Sequence, residues 1–115
     1  MSTKTRKNEF CRLRQSAPLF AALSDEVRLA LLTKLSDGIL LSITQLSGGS
    51  TITRQAITKH LRVLQNTGLV RSIRRGREKL FQIEPKPLKE VGDSLNAISR
   101  QWDEALSRLK PFVEN

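Results

Sequence analysis

The stretch from Thr53 to Ile83 constrains this chain more than any other, because a segment of helical period runs directly into two short runs of β-forming residues. Ile57, Leu61 and Leu64 fall at i, i+4 and i+7 and make one apolar stripe that needs a core to cover it, widened by Ala56 and Val63. Arg54, Gln55, Thr58, Lys59 and Arg62 lie on the other side of the wheel, a face rich in donors able to reach base edges and phosphates. Thr53 supplies a hydroxyl for an orphan amide at the start. Gly68, after Asn66 and Thr67, is a stop signal of the kind that closes a helix through a left-handed residue. The spacing therefore predicts a helix over about 54–66.

Immediately downstream, Val70, Ile73, Leu80, Phe81 and Ile83 read as two strands, and the Arg75-Gly76 break between them marks a hairpin. Its tip carries Arg74, Arg75, Arg77 and Lys79 against a lone Glu78. An ordinary solvated turn is the bland account of such a tip; its place beside a donor-rich helix favours a phosphate-facing one. The formal net charge of +9 and pI near 10.6 call for a polyanionic partner, although charge alone does not separate DNA from RNA or an anionic membrane. Distribution says more than size: residues 53–79 hold eight basic side chains and one acidic, residues 1–14 hold five and one, and the remainder is slightly acidic.

Enzymatic chemistry finds little support, with one histidine, one cysteine, no tyrosine and no phosphate-cradling or dinucleotide-type glycine pattern. No cofactor is expected. Cys11 has no second cysteine to pair with, and no signal peptide or long apolar run is present, so a reducing cytoplasm and no membrane are expected.

A length of 115 residues fits one domain, 1–115. Residues 1–8 read as a flexible basic arm. From Glu9 a helical pattern begins, with Phe10, Leu13, Ala17, Phe20 and Ala21 on one face and Pro18 dividing it into two parts. Ser24-Asp25 caps a further helix over about 26–36, whose expected buried face is Val27, Ala30, Leu31, Lys34 and Leu35; Arg28 there suits a phosphate or an ion pair. Ile39-Leu40-Leu41 is compatible with a small strand beside the hairpin, and Ser42-Ile43-Thr44-Gln45 resembles a capping box opening a short helix. Gly48 and Gly49 shorten that helix, since each internal glycine costs about 0.5–1 kcal/mol relative to alanine. His60 lies next to the apolar stripe, as a packing histidine or a DNA contact. Pro85-Lys86-Pro87 ends the hairpin, and a final helix over about 87–110 carries Leu88, Val91, Leu95, Ile98, Trp102, Ala105 and Leu109 in steps of three and four, with Pro111 as terminator. A partner helix and an intramolecular one bury such a seam equally well.

Phe20-Ala21-Ala22-Leu23-Ser24-Asp25-Glu26-Val27-Arg28, then Thr53 through Leu64, Gly68-Leu69-Val70 and Gly76-Arg77-Glu78 together resemble the successive signatures of ArsR-type winged-helix transcriptional regulators, over roughly residues 17–110. The resemblance implies a mainly α fold with a small β-wing, a winged helix-turn-helix that dimerises through its terminal helices. It implies a homodimeric repressor of inverted-repeat double-stranded DNA, with an inducer that stays unknown. On this alignment Thr53, Arg54, Gln55, Thr58, Lys59, Arg62, Arg74, Arg75, Arg77 and Lys79 face DNA, while Leu88, Val91, Leu95, Ile98, Trp102 and Leu109 form the dimer interface. A winged-helix protein acting through RNA or a protein partner is the alternative. Two departures stand out. Ser47-Gly48-Gly49-Ser50 replaces the alanine and leucine expected in the first helix of the helix-turn-helix, and the family's metal-binding Cys-x-Cys positions align with Ser42 and Thr44. Residues 86–115 contain no histidine, and hydroxyls are poor ligands for thiophilic ions, so no metal response is expected.

Overall fold

A computed structural model describes residues 11–113, with side chains through residue 111. In chain order come α1 (residues 11–15), α2 (Ala17–Leu23), α3 (Glu26–Lys34), β1 (Leu41–Ser42), α4 (Ile43–Ser47), α5 (Arg54–Asn66), β2 (Val70–Arg75), β3 (Glu78–Ile83) and α6 (Pro85–Val113). The strands form one antiparallel sheet in the order β1-β3-β2, so the expected architecture of helices with a small β-wing holds. Two compact units are present: Ala17–Leu88, and the described residues of Met1–Ser16 and Lys89–Asn115.

Within Ala17–Leu88 the core is built from Leu19, Ala22, Leu31, Leu32, Leu35, Leu46, Ile57, Leu61, Leu64, Leu69, Val70, Leu80 and Phe81. The register that places the sheet's apolar side chains is set by the pairs Val70↔Ile83 and Ile73↔Leu80 in the hairpin, and by Leu41↔Phe81 and Ser42↔Leu80 at the short third strand. That third strand holds only Leu41 of the expected Ile39-Leu40-Leu41 run, and Ile39 is exposed. Gly76 turns the hairpin at φ 60°, in the left-handed region that a side chain disfavours.

The helix boundaries follow from their caps. α5 starts where the Thr53 hydroxyl accepts from Ala56 N (3.1 Å). It ends in a Schellman arrangement: Gly68 at φ 78° donates to Gln65 O (3.0 Å), and Leu69 N reaches back to Leu64 O (3.0 Å). These bonds satisfy carbonyls that the helix end leaves free, and they aim the chain directly into β2.

Several expected faces shift. The break between α1 and α2 lies at Ser16, whose amide reaches the Arg12 and Leu13 carbonyls (3.1 and 3.0 Å), and Pro18 sits in the first turn of α2, where no donor is needed. Restarting the helix resets its phase, so Leu19 and Ala22 are buried while Phe20 and Ala21 are exposed. On α3 the buried positions are Leu31 and Leu32, with Leu35 just beyond; Ala30 and Lys34 are exposed because the larger leucines take the core. Lys34 instead stretches its ammonium to the Leu46 carbonyl (2.9 Å). Val63 of α5 is also exposed, which leaves a narrower stripe. Finally, α6 begins at Pro85 rather than 87, since Pro85 and Pro87 both occupy the donor-free first turn. Pro111 lies inside α6 instead of ending it, because a proline that close to the C-terminus disturbs only the last turn.

Asp25 caps α3, its Oδ1 accepting from Val27 N (2.8 Å) and Arg28 N (3.1 Å). The Arg28 amide is the main cause holding the carboxyl below its usual range, with the Val27 amide and the charges of His60 and Arg28 adding to it and burial opposing. A carboxyl lowered on folding stabilises the native state above its unfolded pKa, and that contribution is lost as pH falls through the folded value. Acid titration of thermal stability should therefore show a loss below about pH 4 that is smaller in Asp25→Asn, which keeps an uncharged acceptor; equal acid sensitivity in the two proteins would contradict the assignment.

Candidate nucleic-acid interface

The short helix α4 is held at three points. Ser42 Oγ accepts from Gln45 N (3.2 Å) while Gln45 Oε1 accepts from Ser42 N (2.9 Å), the reciprocal pair the sequence suggested. Leu46 is fully buried, and its carbonyl takes the Lys34 ammonium. After Ser47 the chain turns through Gly49 at φ 76°, a geometry that replaces further helix. α5 then packs on α3, α4 and β2 through Ile57, Leu61 and Leu64.

That packing fixes which side chains remain outside. Arg54, Gln55, Lys59 and Arg62 are exposed, and Thr58 is half-exposed with its hydroxyl donating back to the Arg54 carbonyl (2.8 Å). Thr53 is exposed, its oxygen engaged in the cap. A groove of about 560 Å³ collects Arg54, Gln55, Thr58, Lys59 and Arg62 from α5 with Glu78 and Lys79 from β3. Ser42, Ile43 and Thr44 complete its wall. Four cationic side chains against one carboxylate make it strongly positive, a field that concentrates phosphates.

Of the wing residues, Lys79 turns into this groove, with its ammonium 5.6 Å from the centre of the Phe81 ring. Arg74, Arg75 and Arg77 are exposed at the hairpin tip and do not line it. Ser42, Thr44 and Glu78 were not among the expected contacts. The first two were legible only as helix-capping chemistry, and the Arg54 guanidinium donates to the Thr44 hydroxyl. Arg71, although it lies in the basic stretch, is engaged elsewhere: its guanidinium grips Gln82 Oε1 (3.1 and 2.8 Å), and Gln82 donates onward to the Gly38 carbonyl (2.8 Å). The Gln65 amide reaches Ser72 Oγ (3.1 Å) and ties the end of α5 to β2.

Behind α5, Arg28 acts as a brace. Its Nε donates to Ala22 O (2.6 Å), a terminal nitrogen lies 3.3 Å from Ala21 O, and the other lies 3.3 Å from His60 Nδ1. The Asp25 carboxylate stands 3.9 Å from both Arg28 and His60. Of the two roles open to Arg28, the geometry favours the internal one, and His60 packs beside it outside the groove.

On α6, Leu95, Trp102, Leu106 and Leu109 are 45%, 65%, 58% and 55% exposed, an uncovered apolar stripe on one helix. Leu106 belongs to it and was missing from the expected seam. Val91 is buried, and Leu88 and Ile98 are half-buried. Cys11 is exposed. Among the described residues no cluster of three or more histidine, cysteine or acidic side chains could hold a metal ion, and no helix is long and apolar enough to cross a membrane.

No family model matches the chain. An uncharacterised helix-turn-helix-type transcriptional regulator of Bacillus subtilis (strain 168), YuzN, is 38% identical over 79 residues, covering 64% of this chain and 86% of that protein. Among solved structures, an ArsR-like transcriptional regulator from Rhodococcus sp. RHA1 superposes with a TM-score of 0.73 at 37% identity, over 88% of this chain and 94% of its own. The transcriptional repressor BigR from Xylella fastidiosa gives a TM-score of 0.64 at 27% identity, over 76% and 90%.

Proposed function

The chain belongs to the ArsR family of winged helix-turn-helix transcriptional regulators, and on that premise we propose that it is a homodimeric repressor that binds a specific double-stranded DNA sequence without a metal signal. The observation that carries this reading is the groove in which the donor face of α5 meets Lys79 of the wing. A helix of this width enters a major groove, and its N-terminal residues then stand nearest the base edges. Arg54, Gln55, Thr58 and Lys59 take that role, with Thr53 and Arg62 toward the adjoining phosphates. Arg74, Arg75 and Arg77 at the tip extend the contact along the backbone. BigR is a repressor, which supports the same direction of control here.

Dimerisation rests on the uncovered stripe of α6. A soluble chain gains by covering side chains as large as Trp102 and Leu106, at roughly 1.5–3 kcal/mol for each one fully buried, and a second copy offers the same stripe. Two recognition helices related by a two-fold axis fit successive major grooves about 34 Å apart, which calls for an inverted-repeat operator.

Competition among duplex DNA, an RNA hairpin and heparin over a salt series tests the partner class, and preference for the RNA would sink the reading. Gln55→Ala or Thr58→Ala should relax sequence preference. Arg75→Ala and Arg77→Ala should weaken all duplexes alike and each lower the salt dependence by about one counterion; unchanged operator affinity across the set refutes the assignment. Trp102→Ala or Ile98→Glu should yield monomers by sedimentation equilibrium and lose operator binding, whereas tight binding by a single wild-type copy speaks against the dimer. Stoichiometric zinc should leave operator affinity unaltered, and a tenfold change would overturn metal independence.

A further inference from the structure

Thr44 stands on the wall of the groove at the second position of α4, exposed, with its Oγ1 accepting from the Arg54 guanidinium. Resting on the reading of α5 as the recognition helix, we propose that Thr44 is a positioning residue that aims Arg54 at a guanine, so that Arg54 fixes one base of the operator.

An arginine at the first turn of a helix has many rotamers, and ordering it on DNA is costly unless the protein has restricted it beforehand. Thr44 supplies that restriction from a firm support. Its helix is locked by the Ser42–Gln45 capping box, by the full burial of Leu46 and by the Lys34 bond to the Leu46 carbonyl. The hydroxyl is neutral, so it orients the guanidinium without the competition that a carboxylate would offer to DNA. A guanidinium carries five N–H donors in a rigid plane, and one bond to Thr44 leaves four, enough for a paired contact. Paired donors match the O6 and N7 acceptors of guanine, whereas adenine presents a donor at the corresponding edge. Among the described residues, the side chains of Lys59 and Arg62 in the same groove have no hydrogen bond or ion pair. Lys79 rests over the Phe81 ring, so among the four cations of the groove Arg54 is the one oriented by a hydrogen bond, the arrangement expected of a base reader beside phosphate contacts.

The test uses duplexes selected by the wild-type protein from a randomised pool, followed by affinity measurements on every single-base variant of the best sequence. Thr44→Val should lower the preference for guanine at one position in each half-site by about three- to tenfold, the range for one hydrogen bond. Affinity for unselected duplex and the salt dependence should change less than the guanine preference does, a separation that general damage to the fold would not produce. Thr44→Ser should restore the preference, and in an Arg54→Ala background Thr44→Val should have no further effect. Guanine preference lost in Arg54→Ala yet intact, or strengthened, in Thr44→Val would overturn the positioning role alone. Unaltered base preference in both Arg54→Ala and Gln55→Ala would overturn it together with the reading of α5.

Discussion

Burial of one stripe of α5 governs the rest of the Ala17–Leu88 unit. Ile57, Leu61 and Leu64 are each about 1% exposed or less, and they rest on α3, α4 and β2. With 3.6 residues per turn, fixing three positions on one side of the helix fixes the direction of every other side chain. The donor face is therefore a consequence of core packing, and no separate force is needed to present Arg54, Gln55, Lys59 and Arg62 to solvent. Any change that rotated the stripe out of the core would turn those side chains with it.

Hydrogen bonds then refine what burial sets coarsely. Left-handed Gly68 lets the chain leave α5 and enter β2 within a few residues, which keeps the wing beside the helix it follows. The Gln65 bond to Ser72 and the Arg71–Gln82–Gly38 chain hold the hairpin's base, so its charged tip projects while the base stays anchored. On the other side, Arg28 joins the end of α2 to α5 through two backbone carbonyls and His60. These polar contacts use side chains that a charge map alone would count as available to DNA.

The α6 stripe obeys the opposite logic. Leu95, Trp102, Leu106 and Leu109 are left uncovered, and large apolar side chains grouped on one face favour association. The single cysteine and the single histidine belong to no cluster of three or more potential metal ligands among the described residues.

Periodicity and capping residues were enough to place α5 from 54 to 66, its Thr53 cap, its Gly68 stop, the Ser42–Gln45 box and the hairpin, because each is a local matter decided within a few residues. The donor face of α5 was legible for the same reason. What sequence spacing did not decide was competition between distant segments. Leu32 displaced Ala30 and Lys34 from the core of α3, and the turn at Ser16 reset the phase so that Leu19 took the place of Phe20. The walls of the groove also depended on tertiary contact: Thr44 and Glu78 lie 10 and 24 positions from Arg54, and no periodicity within one helix relates them. The sequence by itself determined which elements form and which of their faces are polar; only the tertiary structure decided which polar groups meet, because a side chain's partner is set by the packing of separate elements and not by its neighbours along the chain.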